Sequence, residues 1–148
     1  MGPVPLTRAW ISEVYALESQ WGDVRWSLPQ LESELTLDVS RFFVLLDEAE
    51  KEVKGYAGYW KVHDEAQVSN LCVAPKYRRQ GLGRQLVECL LDRARVEKCQ
   101  TMNLEVRAHN TAARALYASL GFREVGLRKN FYDNPKDDAV LMELFLNA

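Results

Sequence analysis

The chain of 148 residues is 47% hydrophobic, 27% charged and 10% aromatic, enough for one sizeable core and too rich in aromatics for a disordered chain. Eight glycines and five prolines exclude collagen-like and low-complexity classes. With 19 basic against 21 acidic side chains and a net charge of -2, no broad field attracts nucleic acid, so a polyphosphate or amine ligand has to be held locally.

Residues 3–9 read as a short opening strand. Trp10, Val14, Leu17 and Trp21 are spaced three or four apart and predict an amphipathic helix over 10–20. Trp26-Ser27-Leu28-Pro29 reads as a second helix start running to about Leu37, with Ser27 as cap and Pro29 early in the first turn. Arg41–Asp47, short and rich in Phe, Val and Leu, predicts a strand, and Glu48–Lys54 a charged turn. Gly55–Val62 and Ala66–Val73 continue a β-meander. Pro75–Arg79 ends that run, and a helix opens near Gly81 with Leu86, Val87, Leu90, Leu91 and Ala94 on one face. Thr101–Val106 predicts a strand, and Asn110–Leu120 a shorter helix between an N-cap asparagine and the stop at Gly121. Arg123–Tyr132 and Ala139–Leu146 close the chain as strands around the turn-rich Asp133-Asn134-Pro135. The pattern is an α+β domain over residues 1–148, with a mainly antiparallel sheet and one βαβα section.

Three cysteines at 72, 89 and 99 make no disulfide framework, and the two histidines, His63 and His109, stand in no metal-ligand spacing. Reduced cysteines and the lack of a long apolar run or a leader-like N-terminus are expected of a cytoplasmic protein with no membrane partner.

The strongest local signal is Arg78-Arg79-Gln80-Gly81-Leu82-Gly83-Arg84, between a strand and a helix. The first turn of a helix presents unpaired N–H groups and the positive end of its dipole. Gly81 and Gly83 remove side chains that would keep a phosphate from those amides, and the arginines add positive charge. The pattern reads as a pyrophosphate cradle, although a glycine pair by itself is more often an ordinary turn. A Walker loop fails because Arg84-Gln85 follows Gly83, and the dinucleotide fingerprint fails at Leu86. A dinucleotide-binding reading keeps Glu105 as a ribose-binding acid, but a preceding meander speaks against it. Alternation along the strand puts Glu105 and Asn103 opposite Met102, Leu104 and Val106. Glu105 reads either as a proton acceptor or as a solvent-facing charge. Tyr117 carries a hydroxyl that can donate a proton, or packs at a boundary; small residues at 112, 113 and 115 allow close approach to its helix.

The run Leu71-Cys72-Val73-Ala74-Pro75-Lys76-Tyr77-Arg78-Arg79-Gln80-Gly81-Leu82-Gly83 resembles the acetyl-CoA motif of the GNAT superfamily of N-acetyltransferases. Leu104 to Asn110, Ala115-Leu116-Tyr117 and Leu120-Gly121-Phe122 follow at that family's spacing, and the tail from Arg128 to Met142 is similar to its RimI branch, the ribosomal-protein alanine N-acetyltransferases. The resemblance implies a GNAT-like fold, a mixed, mainly antiparallel sheet of about seven strands with about four helices. It implies acetyl-CoA as co-substrate and no metal. The pyrophosphate would rest on Arg78, Arg79, Gln80, Gly81, Leu82, Gly83 and Arg84, the pantetheine arm on the main chain of Leu71, Cys72 and Val73, with Asn110 bonding the cofactor near that arm. Glu105 matches the general base and Tyr117 the general acid of the branch. Cys72, where the family often carries Ile or Val, is a small buried hydrophobe rather than a nucleophile.

The implied reaction is direct acetyl transfer to an α-amine. Its ordinary pKa of ~7.7–8.0, against ~10.4 for lysine, lets one carboxylate clear the proton. Main-chain amides near Val73 are candidate donors to the oxyanion. The acceptor peptide is expected between residues 18–31 and 131–138, against Trp26, Phe131 and Tyr132. The expected partner is a protein N-terminus, such as that of a small-subunit ribosomal protein beginning with alanine. No direct nucleic-acid contact is expected, and the assembly is a monomer or weak dimer. Acetylation of lysine side chains or a small amine is a second reading, a catalytically silent acyl-CoA-binding module a third, and a nucleotide-binding protein a fourth.

Overall fold

The computed structural model describes residues 2–146. The first strand, β1, shrinks to Val4–Pro5, paired with Val44 and Phe43. Proline has no N–H to extend a ladder, and Arg8–Trp10 already turns as 3-10 helix. Helix α1 (Ile11–Trp21) follows and ends at Gly22. Helix α2 (Leu28–Glu34) begins in a capping box: Gln30 N–H donates to Ser27 Oγ (3.3 Å), and Ser27 N–H donates to Gln30 Oε1 (2.7 Å). It stops before the expected Leu37 because Thr36 and Leu37 both turn back to Ser33 O.

Strands β2 (Ser40–Asp47), β3 (Glu52–Val62) and β4 (Glu65–Val73) form the meander. The charged turn is shorter than predicted. Asp47 Oδ1 accepts from the N–H groups of Ala49 and Glu50, so the hairpin closes locally and pairing starts at Asp47↔Glu52. Helix α3 (Leu82–Val96), strand β5 (Thr101–Arg107), helix α4 (Thr111–Ser119), and strands β6 (Arg123–Tyr132) and β7 (Asp137–Phe145) complete the order. Asn110 caps α4 by accepting from Ala113 N–H (3.1 Å), and Gly121 takes a φ of 102° just past its end.

The seven strands lie in the order β1-β2-β3-β4-β5-β7-β6. All pairs are antiparallel except β4 with β5, joined by the α3 crossover. Each face carries its own core. One packs α3 and α4, with Leu86, Val87, Leu90 and Ala94, on Ala57, Tyr59, Met102 and Leu104. The other packs α1 and α2, with Val14 and Leu31, on Phe42, Val44, Tyr56 and Cys72. Each fully buried Leu or Val contributes ~1.5–3 kcal/mol; at the sheet edge β6 is the exception, exposed from Arg123 to Phe131. No helix among the described residues is long and apolar enough to cross a membrane.

Two irregularities shape the centre. The parallel ladder of β4 and β5 runs only from Glu65↔Thr101 to Gln67↔Asn103. Past it, Val68–Val73 and Leu104–Arg107 have no ladder with each other, so the sheet is split there. In the same place β4 pairs Asn70 with Gly58 and Val68 with Tyr59, which leaves Ser69 as an unpaired bulge residue.

Candidate active site

The glycine-bearing turn lies where the split opens. Arg79 and Gly81 hold φ of 65° and 77°, and Gly81 is the N-cap of α3 with no side chain capping it. The first intrahelical bond runs from Gln85 N–H to Gly81 O (3.1 Å). Among the described residues, the N–H groups of Arg79 to Arg84 bond to no other protein atom. A Cβ built on Gly81 meets no atom within 4 Å, and one on Gly83 meets only Leu116 at 3.4 Å. The turn is therefore a concave run of free donors at the positive end of a fifteen-residue helix, a fit for a diphosphate. Two of the arginines are engaged elsewhere. Arg78 Nε donates to Val73 O (3.1 Å) and its guanidinium lies over Trp21, while Arg84 donates to Ser119 Oγ (2.6 Å). That leaves the main chain and Arg79 as the groups free to meet an anion.

Leu71, Cys72 and Val73 edge the split in β4. Of the amides around Val73, that of Ala74 already donates to Lys54 O (2.8 Å). The Cys72 thiol is pushed up to about 11, first by its burial and then by the nearby Glu18 carboxylate, while the Tyr56 hydroxyl and Arg78 pull the other way. It stays protonated near neutral pH and is no nucleophile.

Across the split, strand register carries Asn103, Glu105 and Arg107 to the α1/α2 face. Glu105 is exposed, with no hydrogen bond or ion pair among the described residues. It lines two connected spaces. One is an open cleft of about 810 Å³ that includes Trp26, Trp60, Phe131 and Tyr132. The other is an inner cavity of about 130 Å³ that includes Leu71, Asn110, Ala113 and Tyr117. Tyr117 is 5% exposed and packs edge-on against Phe122. Burial first, then the neighbouring Tyr132 and Asp23, push its phenol well above the usual range, so it is held protonated. The structure thus brings Glu105, Asn110 and Tyr117 to one cavity, and the three aromatic residues expected for the acceptor to the cleft leading into it.

Arg107 ties the two banks of the cleft together. Its Nε donates to Asp23 (2.6 Å) after α1, its Nη1 to Pro135 O (2.6 Å) and its Nη2 to Asp133 O (3.3 Å) in the β6–β7 turn. The same guanidinium lies over the Tyr132 ring at 4.4 Å. Trp60 stacks on Trp26 at 5.7 Å, its indole N–H held by Glu34 (2.8 Å). Neither Arg107 nor Trp60 stood out in the sequence, nor did Glu18 and Asn70 in the inner cavity. Strand alternation from Glu105 reaches Arg107; the other three depend on register between distant segments.

The model of the Acetyltransferase (GNAT) family matches residues 8–122. The [ribosomal protein bS18]-alanine N-acetyltransferase of Salmonella typhimurium is 37% identical over 141 residues, 94% of this chain and 90% of that protein. The Escherichia coli protein of the same name is 49% identical over 85 residues, 56% of this chain and 57% of that one. The crystal structure of the Escherichia coli ribosomal-protein-S18-alanine N-acetyltransferase superposes with a TM-score of 0.87 at 35% identity, covering 99% of this chain and 94% of that one.

Proposed function

The chain belongs to the GNAT family of acetyl-CoA-dependent N-acetyltransferases, and we propose that its acceptor is a protein N-terminus, the α-amine of the N-terminal alanine of ribosomal protein bS18, modified in the cytoplasm. The relatives' names supply the acceptor. The observation that carries the chemistry is an unpartnered Glu105 lining both an open cleft and a smaller cavity, with the buried Tyr117 lining the second.

The diphosphate of acetyl-CoA rests on the free amides of Arg79 to Arg84, and its arm extends along Leu71 to Val73 with Asn110 beside it. Binding in the split aims the thioester at the cavity. The acceptor chain lies in the cleft against Trp26, Phe131 and Tyr132. Glu105 accepts a proton from the α-ammonium, a transfer suited to a group of ordinary pKa ~7.7–8.0. The freed nitrogen attacks the thioester carbonyl, the C–S bond breaks as Tyr117 protonates the departing thiolate, and the nitrogen's second proton passes through water to the Tyr117 phenolate, which leaves one amide N–H and a neutral phenol while Glu105 releases its proton to solvent. A phenol held protonated by burial keeps that proton available. Wild-type protein incubated with acetyl-CoA and a peptide of the bS18 N-terminus, with free or blocked α-amine, tests the acceptor by mass. Acetylation confined to the free α-amine supports the reading, and acetyl on lysine side chains alone defeats it.

A further inference from the structure

The inner cavity has a wall that the acid–base pair does not use. Glu18, in the last turn of α1, is 1% exposed. Its carboxylate accepts from the Tyr56 hydroxyl (2.6 Å), from the Asn70 side-chain amide (3.2 Å) and from the main-chain N–H of Arg25. Those donors are all neutral, and among the described residues no Lys, Arg or His forms an ion pair with it. The chain even closes down on this group, since a Cβ on Gly22 would stand 2.5 Å from the Glu18 carboxyl carbon. A buried carboxylate with no counter-cation is an uncompensated charge, costly unless something positive comes to it.

Asn70 extends that charge toward the cavity. It is 3% exposed, and with its amide nitrogen donating to Glu18, its carbonyl Oδ1 has no partner among the described residues. The neighbouring Ser69 Oγ, at the bulge, has none either. Buried polar atoms without partners are rare in folded proteins. Here two adjacent ones line the same cavity as Glu18, Glu105 and Tyr117. That cavity, of about 130 Å³, has the room of about four waters, so a group seated in it is small.

We propose that Asn70 and Ser69 are the receptor for the acceptor's ammonium group, with Glu18 as the positioning residue that fixes which end of the Asn70 amide faces it. The inference rests on the reading that the acceptor is an amine. An ammonium offers three N–H donors, met by Asn70 Oδ1, Ser69 Oγ and the Glu105 carboxylate. One N–H bond breaks as Glu105 takes the proton, and its electron pair becomes the nucleophile. The other two N–H groups stay on Asn70 and Ser69 while the N–C bond forms; one of these protons leaves to water as the C–S bond breaks, so the amide keeps a single N–H. Glu18 prevents the amide flip that would turn an NH₂ donor toward the cation, and hydrogen bonding to a carboxylate polarises the Asn70 carbonyl into a stronger acceptor.

The experiment compares Asn70→Ala, Ser69→Ala and Glu18→Gln with the wild type. It records KM and kcat for an alanine-initiated peptide, acetyl-CoA affinity by calorimetry, and thermal melting. Loss of a hydrogen bond to a charged group raises peptide KM by about tenfold or more in each alanine variant, with acetyl-CoA affinity unchanged. Glu18→Gln keeps the acceptor oxygen for Tyr56, loses the one that meets the Arg25 N–H, and shows the same rise in KM. Wild-type peptide KM in folded Asn70→Ala overturns the proposal. Should that variant fail to fold, Ser69→Ala decides, because its hydroxyl bonds to nothing among the described residues and its loss spares the fold; an unchanged KM there also overturns it. A wild-type enzyme that ignores peptide α-amines but acetylates spermidine or lysine overturns only the N-terminal acceptor, and the same variants are then scored on that amine.

Discussion

Glu105→Gln keeps the shape of the side chain and removes its ability to take a proton. Glu105 is exposed and holds no hydrogen bond or ion pair among the described residues, so stability shifts by no more than about 0.5 kcal/mol. The amide cradle lies on another element, so acetyl-CoA affinity is unchanged. Turnover is different. At pH ~7 only about one α-amine in ten is neutral, given a pKa near ~7.7–8.0, and a positioned base contributes ~10²–10⁴-fold. A variant that waits for already neutral amine therefore loses at least about tenfold near neutral pH, up to ~10⁴-fold if the base also acts during attack. Raising the pH to ~9 neutralises the amine in solution and narrows the deficit by about tenfold. Rapid-quench single turnovers with acetyl-CoA bound beforehand, across that pH range, read this directly. A variant within about threefold of wild type at pH ~7, or a deficit that stays constant up to pH ~9, refutes the role given to Glu105.

Tyr117→Phe slows the chemical step by about 10²-fold or more while melting at nearly the wild-type temperature, because its hydroxyl holds no bond among the described residues; undiminished single-turnover rates remove it from the mechanism. Gly83→Trp places an indole over the free amides and weakens acetyl-CoA binding by more than about tenfold, and unchanged calorimetric affinity counts against the cradle. Asp137 links the chain to acid stability. Burial alone would raise its carboxyl, but the main-chain N–H and ring of His109 and the N–H of Asp138 hold it below its ordinary 3.8. A depressed folded value gives stability that is complete above 3.8 and lost as pH falls through the folded value. Asp137→Asn removes that acid-dependent part, and identical acid-unfolding curves by circular dichroism would show that the bonds contribute nothing.

Local chemistry made much of the fold readable. Ser27, Asn110 and Gly121 punctuate helices through their own hydrogen bonds and backbone freedom, and α3 shows its buried face in plain periodicity. Errors fell at strand ends. β1 keeps only Val4–Pro5, where proline cannot extend the ladder to β2, and β3 lengthens because Asp47 tightens the turn before it. The site divides the same way. The glycine turn and Glu105 follow from short motifs and strand alternation. Glu18, Asn70 and Trp60 look like an ordinary helix carboxylate, a strand amide and a strand aromatic until register sets α1 against β3 and β4.

The Arg107 guanidinium makes the mouth of the cleft a single mechanical piece. It grips the segment after α1 and the β6–β7 turn at once, with its side chain only 13% exposed. Neither bank can swing outward alone without stranding a buried cation, so this one side chain couples the positions of the two loops. A lysine there, one point charge in place of a planar fork, would let the two loops drift apart and turn a rigid gate into a loose one.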